Sequence, residues 1–289
     1  MVQADNAIIM AAGTSSRFAP LSYERPKGLM EVKGEILVER EIRQLKEAGI
    51  GDIILVTGYK RECYAYLERK FGIRLIYNPD YAVRNNNASI YAARMFLRNS
   101  FICSSDNYFS VNPFEKENSG SYYAAVYADG PTDEWCMQED ENGLITDVTI
   151  GGQNAYYMLG HAFWDEQFSR KFVKILEREY NRPETRGKLW EKIYAEHLNE
   201  FEMKVRHYPS DVIFEFDTLD ELRQFDRSYI DRTRSAILEQ IAGQIGCRER
   251  DITGIQAQTA GDSRAVGFVF TAGGNRYSYT YADEALRRI

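Results

Sequence analysis

Asn6-Ala7-Ile8-Ile9-Met10-Ala11-Ala12-Gly13-Thr14-Ser15-Ser16-Arg17-Phe18-Ala19-Pro20-Leu21, followed by Pro26-Lys27, is the stretch that decides how this chain of 289 residues folds. Residues 6–10 are a short apolar run without polar alternation, the pattern of a strand buried on both faces. The run ends in small residues at Ala11-Ala12-Gly13, which read as a loop. Residues 36–48 place Leu37, Ile42, Leu45 and Ala48 on one face and stop at Gly49, an amphipathic helix. A second buried strand follows at 53–56, a helix at 61–71, a strand at 75–77, a helix at 88–97 and a strand at 101–103 that runs into Ser105-Asp106. This alternation predicts an α/β fold with a mixed, mainly parallel sheet and helices on both faces. Ligands of such sheets sit beyond the carboxyl ends of the strands, and Gly13, Gly58 and Asp106 all lie just past such ends.

Downstream, the pattern is more mixed. Strands are expected at 122–127, 144–150, 157–163 and 212–217, with a turn-rich loop at 130–134. Helices are expected at 165–180 and 188–198, and Thr218-x-x-Glu221 is a capping box that opens another. From about Ser228 the character changes: a helix over 232–245, then alternating runs at 266–271 and 276–281 around Gly273-Gly274-Asn275, a hairpin signal. The division this suggests is a first domain over 1–228 and a small α+β C-terminal extension over 229–289. The last residues, Arg287-Arg288-Ile289, follow what reads as the start of a helix, so the extension is expected to link to a further domain.

Composition narrows the partners. Lys plus Arg number 36 against 43 Asp plus Glu, a net charge of −7, and a phosphate-backbone binder usually carries a net basic surface. Nucleic acid is therefore not the expected partner. No apolar run approaches the ~18 residues of a membrane span, and residues 1–6 do not read as a signal peptide. Cys63, Cys103, Cys136 and Cys247 are far apart, with no Cys-x-x-Cys; reduced thiols in the cytoplasm are expected, and any metal chemistry rests on carboxylates. His161, His197 and His207 form no cluster.

The chemistry-bearing residues start in the opening loop. Small residues there expose backbone N–H groups to anionic oxygens. Arg17 adds a planar fork of donors suited to phosphate, and Lys27 adds a compact charge that can follow a transferring phosphoryl group. Asp106, at a strand end, offers the oxygen chemistry Mg²⁺ prefers.

The pattern Ala-Ala-Gly-x-x-Ser-Arg-Phe-x-Pro-Leu, then Pro-Lys, resembles the signature of the nucleotidyltransferase superfamily that makes nucleotide sugars and CDP-alcohols. Within it the chain resembles bacterial CTP:phosphocholine cytidylyltransferases. Gly58-Tyr59, Tyr77-Asn78, the segment Asn85-Asn86-Asn87-Ala88-Ser89-Ile90-Tyr91, Ser105-Asp106-Asn107-Tyr108, Thr132-Asp133-Glu134-Trp135, Phe163-Trp164-Asp165 and Glu215-Phe216-Asp217 carry that narrower likeness, over residues 6 to about 227. It implies a Rossmann-like (GT-A-like) nucleotidyltransferase that moves a cytidylyl group from CTP to phosphocholine with Mg²⁺. It further implies a metal held by Asp106 and Asp217 with Glu215 nearby, and Lys27 and Arg17 at the phosphates. Ala12, Gly13, Thr14, Gly58, Asn86 and Ser89 then frame the nucleotide.

A quaternary ammonium donates no hydrogen bond, so aromatic faces and carboxylates bind it. Glu134-Trp135 offers both side by side; Trp190, beside Glu191, is the second choline-binding candidate, although core packing is an equal reading for it. Two departures stand out. Ser15 occupies a position where many relatives have glycine; a left-handed backbone there would cost a serine ~1 kcal/mol or more. Gly28 replaces the proline common after the lysine in sugar-phosphate enzymes. Two alternatives stay open: a sugar 1-phosphate or another phospho-alcohol as acceptor, and a catalytically silent nucleotide-binding module, against which Arg17, Lys27, Asp106 and Asp217 together argue. Pathway logic suggests a fused or associated choline kinase.

Overall fold

The apolar run that opens the chain forms strand Asn6–Ala11 inside a seven-stranded sheet. The computed structural model describes residues 1–259 and 264–289. The strand order is Lys204–Tyr208, Tyr122–Glu139, Ile145–Trp164, Ser100–Ser104, Asn6–Ala11, Ile53–Thr57, Arg74–Tyr77. Asn6–Ala11 pairs in parallel with both Ser100–Ser104 and Ile53–Thr57, which pairs in parallel with Arg74–Tyr77. Ile145–Trp164 is the antiparallel member, against Tyr122–Glu139 and Ser100–Ser104. The expected mixed, mainly parallel sheet is present. Ile8, Ile9, Ile54, Leu55 and Val56 are fully out of water, which is why these strands lack alternation. Register brings Ala11 beside Thr57 and Met10 beside Ser104. Ala12, Gly58 and Asp106 therefore follow strand ends on one edge of the sheet.

These elements belong to one compact unit, Met1–Gly13 with Leu37–Glu215. Its helices follow the predicted periodicities. Leu37–Glu47 buries Leu37, Val38, Ile42 and Leu45, and Glu166–Glu179 is capped by Asp165, whose Oδ1 accepts from Phe168 N–H at 2.8 Å. Two expectations fail. Residues 130–134 are not a loop, and the strands expected at 144–150 and 157–163 are one; together they form a long hairpin of Tyr122–Glu139 and Ile145–Trp164. Its register shifts near Ala128/Pro131 and Thr132/Trp135. Gly130, Gly151 and Asn154 take positive φ there, so residues that signal turns are absorbed as bulges. The strand expected at 212–217 shrinks to Ile213–Phe214, paired with Tyr108–Phe109.

The second unit comprises Thr14–Ile36 and Phe216–Ile289. The compact units thus do not follow the boundary expected at 228. Thr14–Ile36 holds only short elements: turns at Ser16–Phe18 and Lys27–Leu29, the single-turn helix Leu21–Glu24, and the two-residue strands Glu31–Val32 and Glu35–Ile36. Thr218 opens helix Leu219–Phe225 and its Oγ1 accepts from Glu221 N–H at 3.2 Å. The returning bond of the box reaches one residue further, from Asp217 N–H to Glu221 Oε2 at 2.8 Å. Ser235 caps helix Ala236–Ile245. An antiparallel sheet follows, in the order Thr253–Thr259, Ala265–Ala272, Asn275–Thr280, Ala285–Arg288. The predicted hairpin turns at Gly273 and Gly274, both at positive φ, as a two-residue loop of this twist requires. The expected terminal helix is instead the edge strand Ala285–Arg288.

Ser15 stands at φ 47°, ψ 46°, the left-handed conformation that a serine pays for and a glycine does not. Ser15→Gly is expected to raise unfolding free energy by up to about 1 kcal/mol, measured by urea denaturation; a loss of stability would show that the serine side chain compensates the backbone.

Candidate active site

At the sheet edge the backbone is crowded. Tyr59 N–H donates to Ala12 O at 3.0 Å, and Ser105 N–H donates to Met10 O at 3.1 Å. A Cβ on Gly58 would stand 2.6 Å from Tyr81 Cβ and 2.7 Å from Ala12 O, so only glycine lets these two loops close on each other. Gly13 has open space around its Cα. Asp106 follows Ser105 on this edge. Behind it lies Glu41, 1% exposed, beside the Cys103 thiol; burial pushes its carboxyl well above the usual range, and the Asp106 charge adds to the effect.

The asparagine-rich segment works inside the protein. Asn85 Nδ2 donates to Gly187 O, and Asn87 Nδ2 to Thr185 O and Lys188 O. Asn86 donates through Nδ2 to Glu191 Oε2 at 3.1 Å and accepts Trp190 N–H at 2.7 Å. Both ends of the Asn86 amide are thus engaged with residues 190–191. Ser89 is buried and its Oγ accepts from Asn78 Nδ2 at 3.3 Å.

Trp190, the second choline-binding candidate, packs among other aromatic rings. It is 1% exposed, stacked on Tyr123 at 5.4 Å between ring centres and edge-on to Trp164 at 4.9 Å. It is a core side chain. Its neighbour Glu191 is the chemically active member of the pair: buried, it accepts from Tyr123 Oη at 3.1 Å, and desolvation raises its pKa.

Glu215 lies close to Asn107, the residue that follows Asp106. Burial and the Glu134 and Glu215 charges push the Tyr157 hydroxyl up. Burial, Glu191 and Glu215 do the same to Tyr123. The Tyr123 hydroxyl bonds Glu191 directly, and Trp135 is half-buried on the strand that carries Glu134. Tyr123 and Tyr157 were not singled out from sequence, whereas Glu191 was noted beside Trp190. Tyr123 and Tyr157 lay in segments read only as strands, with no spacing signal to tell a pocket tyrosine from a packing one.

In the second unit, Arg17 and Lys27 meet on one carboxylate. Arg17 Nη1 lies 2.7 Å from Asp217 Oδ2, and Lys27 Nζ lies 3.7 Å from Oδ1. Arg17 is 75% exposed, whereas Lys27 is 5% exposed, and an ammonium so placed requires an anionic partner. Asp217 therefore holds the two cations as well as offering oxygens. Among the described residues no group of three or more His, Cys, Asp or Glu is placed to hold a metal. Asp106 and Asp217 each offer hard carboxylate oxygens of the kind Mg²⁺ prefers.

Residues 7–131 match the family model described as the MobA-like NTP transferase domain. A choline-phosphate cytidylyltransferase of Streptococcus pneumoniae is 32% identical over 220 residues, covering 76% of this chain and 96% of that protein. The chain belongs to the choline-phosphate cytidylyltransferase family of nucleotidyltransferases. A 2-aminoethylphosphonate cytidylyltransferase of Lancefieldella rimae is also 32% identical, over 80% of this chain and 95% of that one. The solved CTP:phosphocholine cytidylyltransferase of S. pneumoniae superposes with a TM-score of 0.75 at 31% identity, covering 78% of this chain and 99% of that chain. The enzyme thus carries roughly a fifth of its length beyond that relative's fold. No helix among its described residues is long and apolar enough to cross a membrane.

Glu41 supplies a pH test. Its folded-state pKa is raised from 4.5, so the folded protein binds this proton more tightly than the unfolded chain. The resulting stability is complete below about pH 4.5 and is lost as pH rises toward the folded value. Glu41→Gln, which carries no titrating group, should gain stability relative to wild type between pH 5 and pH 9 in paired denaturant titrations; a constant difference would show that Glu41 is ionised in the folded protein.

Proposed function

We propose that this enzyme transfers a cytidylyl group from CTP to phosphocholine, releasing CDP-choline and pyrophosphate. The observation that carries the reading is Glu134 beside the half-buried Trp135 on strand Tyr122–Glu139, with the Tyr123 hydroxyl bonded to Glu191 at 3.1 Å. A trimethylammonium offers no N–H, so only aromatic faces and carboxylate charge recognise it. The S. pneumoniae relative, named for that reaction, supports it. All four cysteines are free thiols, in keeping with a reducing, cytoplasmic setting.

A phosphate oxygen of phosphocholine attacks the α-phosphorus of CTP in line. The bond from that phosphorus to the β-phosphate oxygen breaks, and pyrophosphate leaves. No covalent enzyme intermediate is needed; the protein positions two anions and offsets their charge. Lys27 stabilises the phosphoryl group in transfer, and Arg17 with the Gly13 and Thr14 backbone holds the leaving phosphates. Asp217 keeps both cations in place until substrate oxygens compete for them. Ala12 and Gly58 present backbone to the nucleoside. When bound, Mg²⁺ neutralises phosphate charge, and Asp106 and Asp217 are the residues that would hold it. Trp135, Tyr157, Glu134 and Glu215 take the trimethylammonium. Phosphocholine is a phosphate monoester, so a kinase acting on choline is the reaction class that supplies it.

The second reading is 2-aminoethylphosphonate as acceptor, favoured by the equally similar L. rimae relative. A primary ammonium depends more on carboxylates and less on aromatic faces. Pyrophosphate release with CTP or UTP against phosphocholine, phosphoethanolamine, 2-aminoethylphosphonate and glucose 1-phosphate, with Mg²⁺, decides between them. CTP with phosphocholine should give the highest kcat/KM; parity with glucose 1-phosphate would sink the reading. Lys27→Ala should lower kcat by about 10²–10³-fold, the usual scale for one charge-stabilising donor. Trp135→Ala should raise the KM for phosphocholine at least ten times more than that for CTP, and equal effects on both would remove Trp135 from the choline pocket.

A further inference from the structure

The segment Thr14–Ile36, which carries Arg17 and Lys27, has no helix longer than the four residues Leu21–Glu24 and no strand longer than two. Elements this short do not hold themselves in water. What holds the segment, besides Asp217, comes from further along the second unit. The Tyr23 ring lies face to face with Tyr281, 3.8 Å between centres at 7°. Ile237 N–H, in the first turn of helix Ala236–Ile245, donates to Glu24 Oε1 at 3.1 Å, placing a carboxylate where the helix is electropositive. Glu31 O accepts from Tyr229 Oη at 2.7 Å and Arg234 Nη1 at 3.0 Å. Strand Thr253–Thr259 packs against the turn Ser16–Phe18, next to Arg17.

Helix Ala236–Ile245, Tyr229, Arg234 and Tyr281 all belong to the part of the chain beyond residue 227. That part corresponds in size to the portion left over when the S. pneumoniae structure, 99% covered, takes up 78% of this chain. The extension is itself anchored. Arg223, on helix Leu219–Phe225, is buried and donates through Nη1 to Ile252 O at 2.7 Å and through Nη2 to Glu249 O at 2.8 Å. A rigid element fastened at one end and stacked on the loop at the other restricts where the loop can go.

We propose that the C-terminal extension, residues 228–289, is a positioning element that sets the placement of Arg17 and Lys27 through the Tyr23–Tyr281 stack and the Glu24–Ile237 contact. Tyr281 and Glu24 are positioning residues in this scheme, acting through the loop and touching no substrate. The catalytic consequence rests on the proposed nucleotidyl transfer; the mechanical one does not.

The test uses the full chain. Tyr281→Ala should lower kcat for pyrophosphate release about tenfold while leaving the KM for phosphocholine within twofold. Tyr281→Phe, which keeps the ring, should restore kcat. Hydrogen exchange of amides in 14–36 should speed up at least tenfold in Tyr281→Ala, with exchange in strands Asn6–Ala11 and Ile53–Thr57 unchanged. Unchanged kcat and exchange, or acceleration spread equally over those strands, would overturn the proposal. If Tyr281→Ala does not fold, Tyr23→Ala reads the same stack from the loop side, where Tyr23 is 41% exposed, with the same expected and overturning results. If wild type releases no pyrophosphate with any pair of substrates, the proposed function fails, and the exchange measurement still decides whether the extension holds the loop.

Discussion

Asp217 is the residue on which the second unit turns. Lys27 is almost wholly out of water and Arg17 almost wholly in it, yet both reach the same carboxylate. The exposed pair with Arg17 is worth little by itself. The buried ammonium is different, because leaving it unpaired would cost several kcal/mol. That asymmetry ties the signature segment to the chain near residue 217. It also means that one carboxylate already faces both cations suited to phosphate before any phosphate arrives.

The sheet unit answers a different constraint. Its carboxyl edge must bring loops close enough to present backbone rather than side chains. Gly58 makes that approach possible by lacking a Cβ against Ala12 O and Tyr81. Behind the edge, burial beside Cys103 raises the pKa of Glu41. The long hairpin Tyr122–Glu139 and Ile145–Trp164 carries the other functional group. Bulges near Gly130 and Gly151 let it bend while still presenting Glu134, Trp135 and Tyr157.

The acidic, tyrosine-rich balance of the sequence takes on a different meaning through this arrangement. Most tyrosines pack: Tyr91 stacks on Tyr180 at 3.7 Å, and Tyr64 and Tyr194 are in the core. Tyr123 and Tyr157 differ in that carboxylate charge adds to burial in raising their pKa, from Glu191 and Glu215 for Tyr123 and from Glu134 and Glu215 for Tyr157. A surplus of negative charge does not conflict with two placed cations, Arg17 and Lys27, which meet on Asp217.

The sequence by itself determined the parallel core, the strand-end loops and the identity of Arg17, Lys27, Asp106 and Asp217. Those follow from local apolar runs, small-residue loops and a signature whose order survives in one dimension. It flagged Ser15 as strained only if its backbone were left-handed, and the structure shows that it is, at φ 47°. Only the tertiary structure decided that Trp190 is core and Glu191 its polar neighbour. It likewise decided that Asn86 serves residues 190–191, that the Glu215 charge adds to burial at Tyr157 and Tyr123, and that the extension grips the loop through Tyr281. Each of those depends on which of two chemically similar side chains is desolvated, and by partners tens to hundreds of residues away. Burial and long-range pairing leave no periodic trace in the sequence, so chemistry that depends on them becomes visible only once the chain is folded.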